Sequence, residues 1–176
     1  MRKLFSKIPY IEGERLVLKQ IEEEDSEALL ELASDPEVYR YLPTFLFEQK
    51  YPDIHEVTDK LYTECLKESI ILGIYMDDDF CGIAEFYGLR DEAHKISVGY
   101  RLLRRCWGRG IASETLSMMI KYLYEETDIQ IITASTMVEN TASVKVLLKN
   151  GFTLVVSGAK EDWGYPELTI VDKWIR

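Results

Sequence analysis

The stretch that most constrains the fold is Val98-Gly-Tyr-Arg-Leu-Leu-Arg-Arg-Cys-Trp-Gly-Arg-Gly-Ile-Ala112. Residues 95–103 carry the β-branched and aromatic content of a strand. After Gly110 the apolar residues Ala112, Leu116, Met119, Ile120 and Leu123 recur at helical spacing. The layout is strand, glycine loop, helix. The first turn of such a helix has N–H groups without intrahelical partners and sits at the positive end of the macrodipole. Glycine at 108 and 110 removes the Cβ that would hold a ligand off the backbone. Arg104, Arg105 and Arg109 add positive charge around the turn. It is therefore suited to an anion, above all phosphate.

The 176 residues have room for one domain with a substantial core and too little for two. With 21 Lys and Arg against 31 Asp and Glu, the formal charge of −10 makes duplex nucleic acid a poor partner. It favours the approach of a cationic substrate. Cys65, Cys81 and Cys106 are far apart, with no CxxC or zinc-like spacing, so reduced thiols and a cytoplasmic location are expected. His55 and His94 form no HExxH-like pair and read as surface residues, so neither a metal site nor a Ser-His-Asp triad is predicted. No run approaches ~18 apolar residues, so no membrane span is expected. The first residues lack the central apolar block of a signal peptide.

Along the chain, residues 15–19 alternate as a first strand. Asp25 stands as an N-cap before Ala28, Leu29, Leu32 and Ala33, and Asp35-Pro36 restarts a short helix. Residues 43–53 hold aromatics and prolines with little periodicity, as a loop over a pocket or as plain packing. Asp53-Ile-His-Glu56 has the form of a capping box, opening a helix with Val57, Leu61, Cys65 and Leu66 that ends near Ser69. Residues 70–76, 80–89 and 95–103, joined by polar turns, predict an antiparallel meander. The helix after the glycine turn runs to about Glu126. Residues 128–137 then form a strand parallel to the one before it, because a helical crossover intervenes. Residues 140–148 are a second helix, stopped by Asn150-Gly151. Residues 152–157 and 167–174 are the final strands, the last closing the sheet. This order predicts a single α+β domain over residues 1–176 with a mixed sheet.

Two motifs together resemble the GNAT superfamily of acyl-CoA-dependent N-acetyltransferases. They resemble in particular its ribosomal-protein-alanine acetyltransferase-like branch and the neighbouring spermidine acetyltransferases. One motif is Arg105-Cys-Trp-Gly108-Arg-Gly110, on the Arg/Gln-x-x-Gly-x-Gly/Ala pattern; the other is Asn140-Thr-Ala-Ser143 followed by Val144, Leu147, Leu148, Gly151 and Phe152. The resemblance spans about residues 15–174. It implies a mixed, mostly antiparallel central sheet flanked by helices, with a splayed parallel strand pair at the CoA site. It implies acetyl-CoA as co-substrate without a metal, and transfer of the acetyl group to a primary amine by direct attack in a ternary complex. A protein N-terminus, a polyamine or another small amine is the implied acceptor, and a homodimer is the oligomer it implies.

Carried onto this chain, the resemblance gives the diphosphate to the backbone around Cys106, Trp107, Gly108, Arg109, Gly110 and Ile111, with Arg105 leading the motif. The pantetheine arm goes to the strand at Arg101, Leu102 and Leu103, and Ala112 allows tight helix–sheet contact. Asn140 would bond the pantetheine or hold the strand end, and it also suits an N-cap. Glu85, in Gly82-Ile-Ala-Glu85-Phe86, is expected as base or amine anchor, against an outward-facing strand carboxylate. Ser143 is the hydroxyl expected near the thiol, against helix packing or capping. Where many members carry a glutamate two residues before Gly99-Tyr100, this chain has Ser97; where some carry a tyrosine acid, it has Leu147. Approximation of the reactants with solvent handling protons is the third possibility. Cys106 is expected to be loop structure and not a nucleophile. Residues 43–51 and 163–166 are expected to wall the acceptor pocket. A Rossmann reading of Gly108-x-Gly110 lacks its third glycine, and a non-catalytic acyl-CoA-binding module is the other alternative.

Overall fold

The strands are β1 (Ile11–Glu12), β2 (Leu16–Lys19), β3 (Ser69–Met76), β4 (Asp79–Arg90), β5 (Lys95–Leu102), β6 (Ile131–Met137), β7 (Thr153–Glu161) and β8 (Thr169–Ile175). The helices are α1 (Ser26–Ala33), α2 (Pro36–Tyr39), α3 (Ile54–Glu64), α4 (Ile111–Glu126) and α5 (Thr141–Lys149). In this computed structural model, which describes residues 7–64, 66 and 69–176, the strands form one sheet in the order β1-β2-β3-β4-β5-β6-β8-β7. Every neighbouring pair is antiparallel except β5 and β6. The expected α+β class and mixed sheet are borne out.

The meander forms because its links turn tightly. Asp77 and Asp78, at φ 52° and 65°, make a two-residue hairpin loop that closes Met76 against Asp79. Side chains then alternate across the sheet. Phe86 of β4 packs against Tyr122 of α4, ring centroids 6.0 Å apart, while Glu85 points to the face that carries α1–α3. Ile70, Leu72, Ile74, Ile83 and Phe86 are fully buried. Each such side chain contributes roughly 1.5–3 kcal/mol relative to exposure. Helix α5 ends as expected: Gly151 takes φ 76°, Phe152 N–H bonds Leu147 O at 3.0 Å, and Gly151 N–H bonds Leu148 O at 3.1 Å.

Four expectations change. A short strand, β1, precedes the first one expected. Asp25 does not cap α1 with its side chain; its carboxylate instead accepts from the Glu22 N–H at 2.9 Å and the Tyr75 hydroxyl at 2.5 Å. In the expected capping box Asp53 accepts from His55 N–H at 3.0 Å, while Glu56 turns to Lys60 one turn on. The last strand does not close the sheet: β8 lies between β6 and β7. Its Val171 and Trp174 are buried, whereas Leu154, Val155 and Val156 of β7 are exposed, so the strand with the apolar inner residues takes the inner place. Cys65 and the first six residues lie outside the described residues. Among the described residues no helix is long and apolar enough to cross a membrane.

Candidate active site

The site begins where β5 and β6 part. Their parallel register runs from Lys95/Ile131 to Ser97/Thr133 and stops, although both strands continue. Backbone groups alternate along a strand. Leu103 N–H bonds Cys81 O of β4, and His94 O accepts from the N–H groups of Gln130 and Ile131 at the start of β6. The even-numbered residues Val98, Tyr100 and Leu102 therefore turn their N–H and C=O into the gap. Of the pantetheine candidates, Leu102 faces the gap, whereas Arg101 and Leu103 turn their backbone towards β4. The Leu102 carbonyl is taken by Trp107 Nε1 at 2.9 Å, which ties the glycine loop to the strand.

The glycine turn lies at the end of this gap. Residues 104–106 form a 3-10 turn that consumes the Cys106 N–H on Leu103 O (2.9 Å) and the Trp107 N–H on Arg104 O (3.0 Å). The amides left to face a ligand start at Gly108. Gly108 and Gly110 adopt φ 71° and 77°. A Cβ on Gly108 would meet nothing within 4 Å, and one on Gly110 would meet only Arg15 Nη2, at 3.4 Å. Gly110 caps α4 without a side chain, so the N–H groups of Ile111, Ala112 and Ser113 remain open to an anion. Arg15, which nothing local in the sequence marks as a site residue, braces the loop: it bonds Glu114 at 2.7 Å and Arg109 O at 3.2 Å. Arg104 and Arg105 are paired with Asp35 (2.5 Å) and Glu31 (2.6 Å), so Arg109 is the motif arginine without a carboxylate partner among the described residues. Cys106 is buried beside Cys81, whose thiol is pushed up to about 12 by burial and by that neighbour. This placement makes Cys106 part of the loop's packing.

A cavity of about 1210 Å³ passes through the gap. On the α4–α5 side it is lined by Tyr100, Leu116, Asn140, Ser143 and Leu147. Asn140 caps α5, its Oδ1 accepting from Ser143 N–H at 3.2 Å. Its Nδ2 makes no hydrogen bond among the described residues. Tyr100 Oη lies 3.3 Å from Ser143 Oγ. On the other side lie Glu85, Tyr87, Ser97, Gly99 and Arg101, with walls from residues 41–47 and 161–163. The two segments expected as pocket walls are stapled together. Thr44 N–H bonds Trp163 O at 2.9 Å, and the Tyr165 hydroxyl bonds Leu42 O at 2.8 Å.

Beneath that pocket is a charge network the sequence did not reveal. Arg101, 5% exposed, donates to both oxygens of Glu48, 2% exposed, and through Nη1 to Glu85 at 2.9 Å. The Tyr39 hydroxyl adds a bond to Glu48 at 2.6 Å. Burial alone would favour a neutral guanidine, but the Glu48 and Glu85 carboxylates overcome it and hold Arg101 above its ordinary pKa. Burial raises the phenols of Tyr39, Tyr87 and Tyr100, which therefore stay protonated near neutral pH; Tyr39 donates to Glu48 and Tyr100 to Ser143. Among the other wall carboxylates, Glu64 meets Lys50 at 3.0 Å and Glu161 pairs with Lys173, whereas Asp162 accepts the Gly164 N–H at 2.9 Å and has no cation partner among the described residues. No cluster of three or more His, Cys, Asp or Glu that could hold a metal ion occurs among the described residues. Both histidines lie at the surface away from this pocket, His55 bonded to Glu23 and His94 Nδ1 3.5 Å from an Asp128 carboxylate oxygen.

A splayed parallel pair, open amides at a glycine turn and a cavity reaching both faces fit a long thiol-bearing nucleotide. Comparison with known proteins agrees. The family model for the acetyltransferase (GNAT) domain matches residues 15–153. The uncharacterized N-acetyltransferase YoaA of Bacillus subtilis (strain 168) is 32% identical over 148 residues, 82% of each chain. A GNAT-family acetyltransferase from Bacillus anthracis superposes with a TM-score of 0.82 at 24% identity, over 96% of this chain and 98% of that one. RimL, a ribosomal L7/L12 alpha-N-protein acetyltransferase solved with coenzyme A, gives 0.81 at 20% identity, over 96% and 97%. The chain belongs to the GNAT family and is an acetyl-CoA-dependent N-acetyltransferase.

Proposed function

We propose that this protein acetylates an α-amine carried on an apolar body, such as the N-terminus of a peptide, by direct attack in a ternary complex. The observation that carries the reading is Glu85 engaged by Arg101 in a pocket walled by aromatic side chains. Glu64, Glu85 and Glu161 are each engaged by Lys50, Arg101 or Lys173 before an amine arrives, but Arg101 is shared with Glu48 and Asp162 on the wall has no cation partner among the described residues, so carboxylate charge alone does not distinguish the pocket. The mouth instead presents Tyr41, Phe45, Phe47 and Trp163. An α-amine near pKa ~8 is roughly a tenth neutral at pH 7, whereas a lysine-like amine is less than about a thousandth neutral. A site whose expected base, Glu85, is engaged by Arg101 suits the amine that needs less help. The fold likeness to an alpha-N-protein acetyltransferase supports the same acceptor. The chain's charge of −10 draws cations in general and selects none of them.

Bound acetyl-CoA supplies an activated thioester. The transfer makes a C–N bond and breaks a C–S bond; one proton leaves the amine and one is supplied to the departing sulfur. Amides from Gly108 to Ala112 hold the diphosphate, and the backbone of Val98, Tyr100 and Leu102, with Asn140, holds the arm. The Val98 and Tyr100 N–H groups are the donors for the developing oxyanion. Glu85 anchors the amine and accepts its proton directly or through water, and Ser143 serves the sulfur. The test is thiol release from acetyl-CoA across N-terminal peptides, spermidine and aminoglycosides. Peptide α-amines should exceed spermidine in kcat/KM by at least about tenfold, the worth of one good polar contact; a preference for spermidine overturns the assignment.

A further inference from the structure

We infer that Tyr100 is a positioning residue for catalysis, holding the Ser143 hydroxyl so that its proton is presented to the thiol end of the acyl donor. This rests on the transferase reading above and goes beyond it by naming what orients the serine. Tyr100 sits on β5 and Ser143 in the first turn of α5; both line the same side of the gap, with Oη 3.3 Å from Oγ. A hydroxyl has one proton and can accept two. Burial keeps the Tyr100 phenol protonated, and Ser143 Oγ is its partner, so Tyr100 donates. The serine's own proton is thereby released to point elsewhere, and the cavity is what it faces. The backbone is fixed as well, because Asn140 Oδ1 holds the Ser143 N–H at 3.2 Å. The Oη–Oγ separation is long for a hydroxyl pair, as active-site hydrogen bonds commonly are before the ligand closes on them. Leu147 places no hydroxyl on this helix face, and Thr136 of β6, also on this side, is held by Trp174 Nε1 at 3.0 Å, so Ser143 is the hydroxyl that α5 itself brings to the gap. Tyr100 does not surrender its proton: a phenol made less acidic by burial is a poor source for a thiolate, and its part is orientation.

The test compares Tyr100→Phe, Ser143→Ala and the double variant. Tyr100→Phe keeps the ring in place and should lower kcat about tenfold, the worth of one hydrogen bond, with KM for acetyl-CoA unchanged. In the Ser143→Ala background it should change nothing further. The kcat–pH profile should fall by one factor throughout without moving its limbs. A second readout needs no turnover: ultraviolet titration of bound CoA thiolate, taken as a difference against desulfo-CoA to cancel the protein's thiols. A donor on sulfur lowers the thiol pKa, so the midpoint should rise equally in both single variants. Full activity in Tyr100→Phe, an additional loss in the double variant, a shifted limb or an unmoved thiolate midpoint each overturn the role of Tyr100. A wild type that released no thiol with any amine would overturn the transferase reading, and this inference with it.

Discussion

Exchanging each carboxylate of the Arg101 network for its amide should separate stability from catalysis. Arg101 stays charged under all accessible conditions. Its side chain is 3% exposed, that of Glu48 1% and that of Glu85 14%. Glu48 engages the guanidinium with both oxygens, whereas Glu85 uses one and borders the cavity. Glu48→Gln leaves a buried cation with half its compensation, a loss of about 3–5 kcal/mol. For a chain of this size that lowers Tm by roughly 6–20 °C. Glu85→Gln leaves the Glu48 contacts in place and costs about 1.5 kcal/mol, the worth of one charge-assisted bond, or roughly 3–6 °C. Activity should reverse the ranking. Glu85→Gln loses about a hundredfold in kcat as an acid–base group is removed. Glu48→Gln, assayed well below its Tm, stays within a few-fold of wild type. Thermal denaturation followed by circular dichroism and a thiol-release assay give both numbers. A Glu48→Gln protein as stable as wild type, or one less stable by a smaller margin than Glu85→Gln, would refute the account of the network. Unchanged kcat in Glu85→Gln would remove Glu85 from the chemistry.

Gly110→Ala must hold alanine at φ 77°, costing roughly 1–2 kcal/mol. It should weaken coenzyme A binding in calorimetry while the circular dichroism spectrum is kept; unaltered affinity would separate the loop from the diphosphate. Cys106→Ala should retain turnover and lose about 1 kcal/mol of stability for the buried group removed; abolished turnover with intact CoA binding would restore it as a nucleophile. His55 is raised above its ordinary 6.5 chiefly by its hydrogen bond to Glu23, and Glu23 is lowered below 4.5 by Thr58 and His55. The pair therefore stabilises the fold above the ordinary carboxylate range and loses that contribution as pH rises through the His55 value. An NMR titration should place the His55 midpoint above 6.5, falling when Glu23 is replaced by Gln; a midpoint at or below 6.5 contradicts the pairing.

Most interactions that close within a few residues were legible in the sequence; the Asp25 cap and the Glu56 half of the capping box were not formed, because their carboxylates found partners elsewhere. The Asp77–Asp78 turn, the Asp35 cap, the Gly151 termination of α5 and the strand–glycine turn–helix from residue 95 to 126 each depend on local backbone geometry, and each stands in the structure. The parallel pairing of β5 with β6 followed from the length of the crossover. Alternation along β5 decided which backbone groups enter the gap, and that needed the register with β4. Glu48, Arg101 and Glu85 come from three separate stretches of the chain, and Thr44 and Trp163 on the roof of the pocket from two. No periodicity relates such residues, because their attraction is realised only once the sheet has brought them together. The chain's own order thus settled the glycine turn, a local structure. The acceptor side depended on burial, where charges distant in sequence must find one another or remain unpaired at a cost of several kcal/mol.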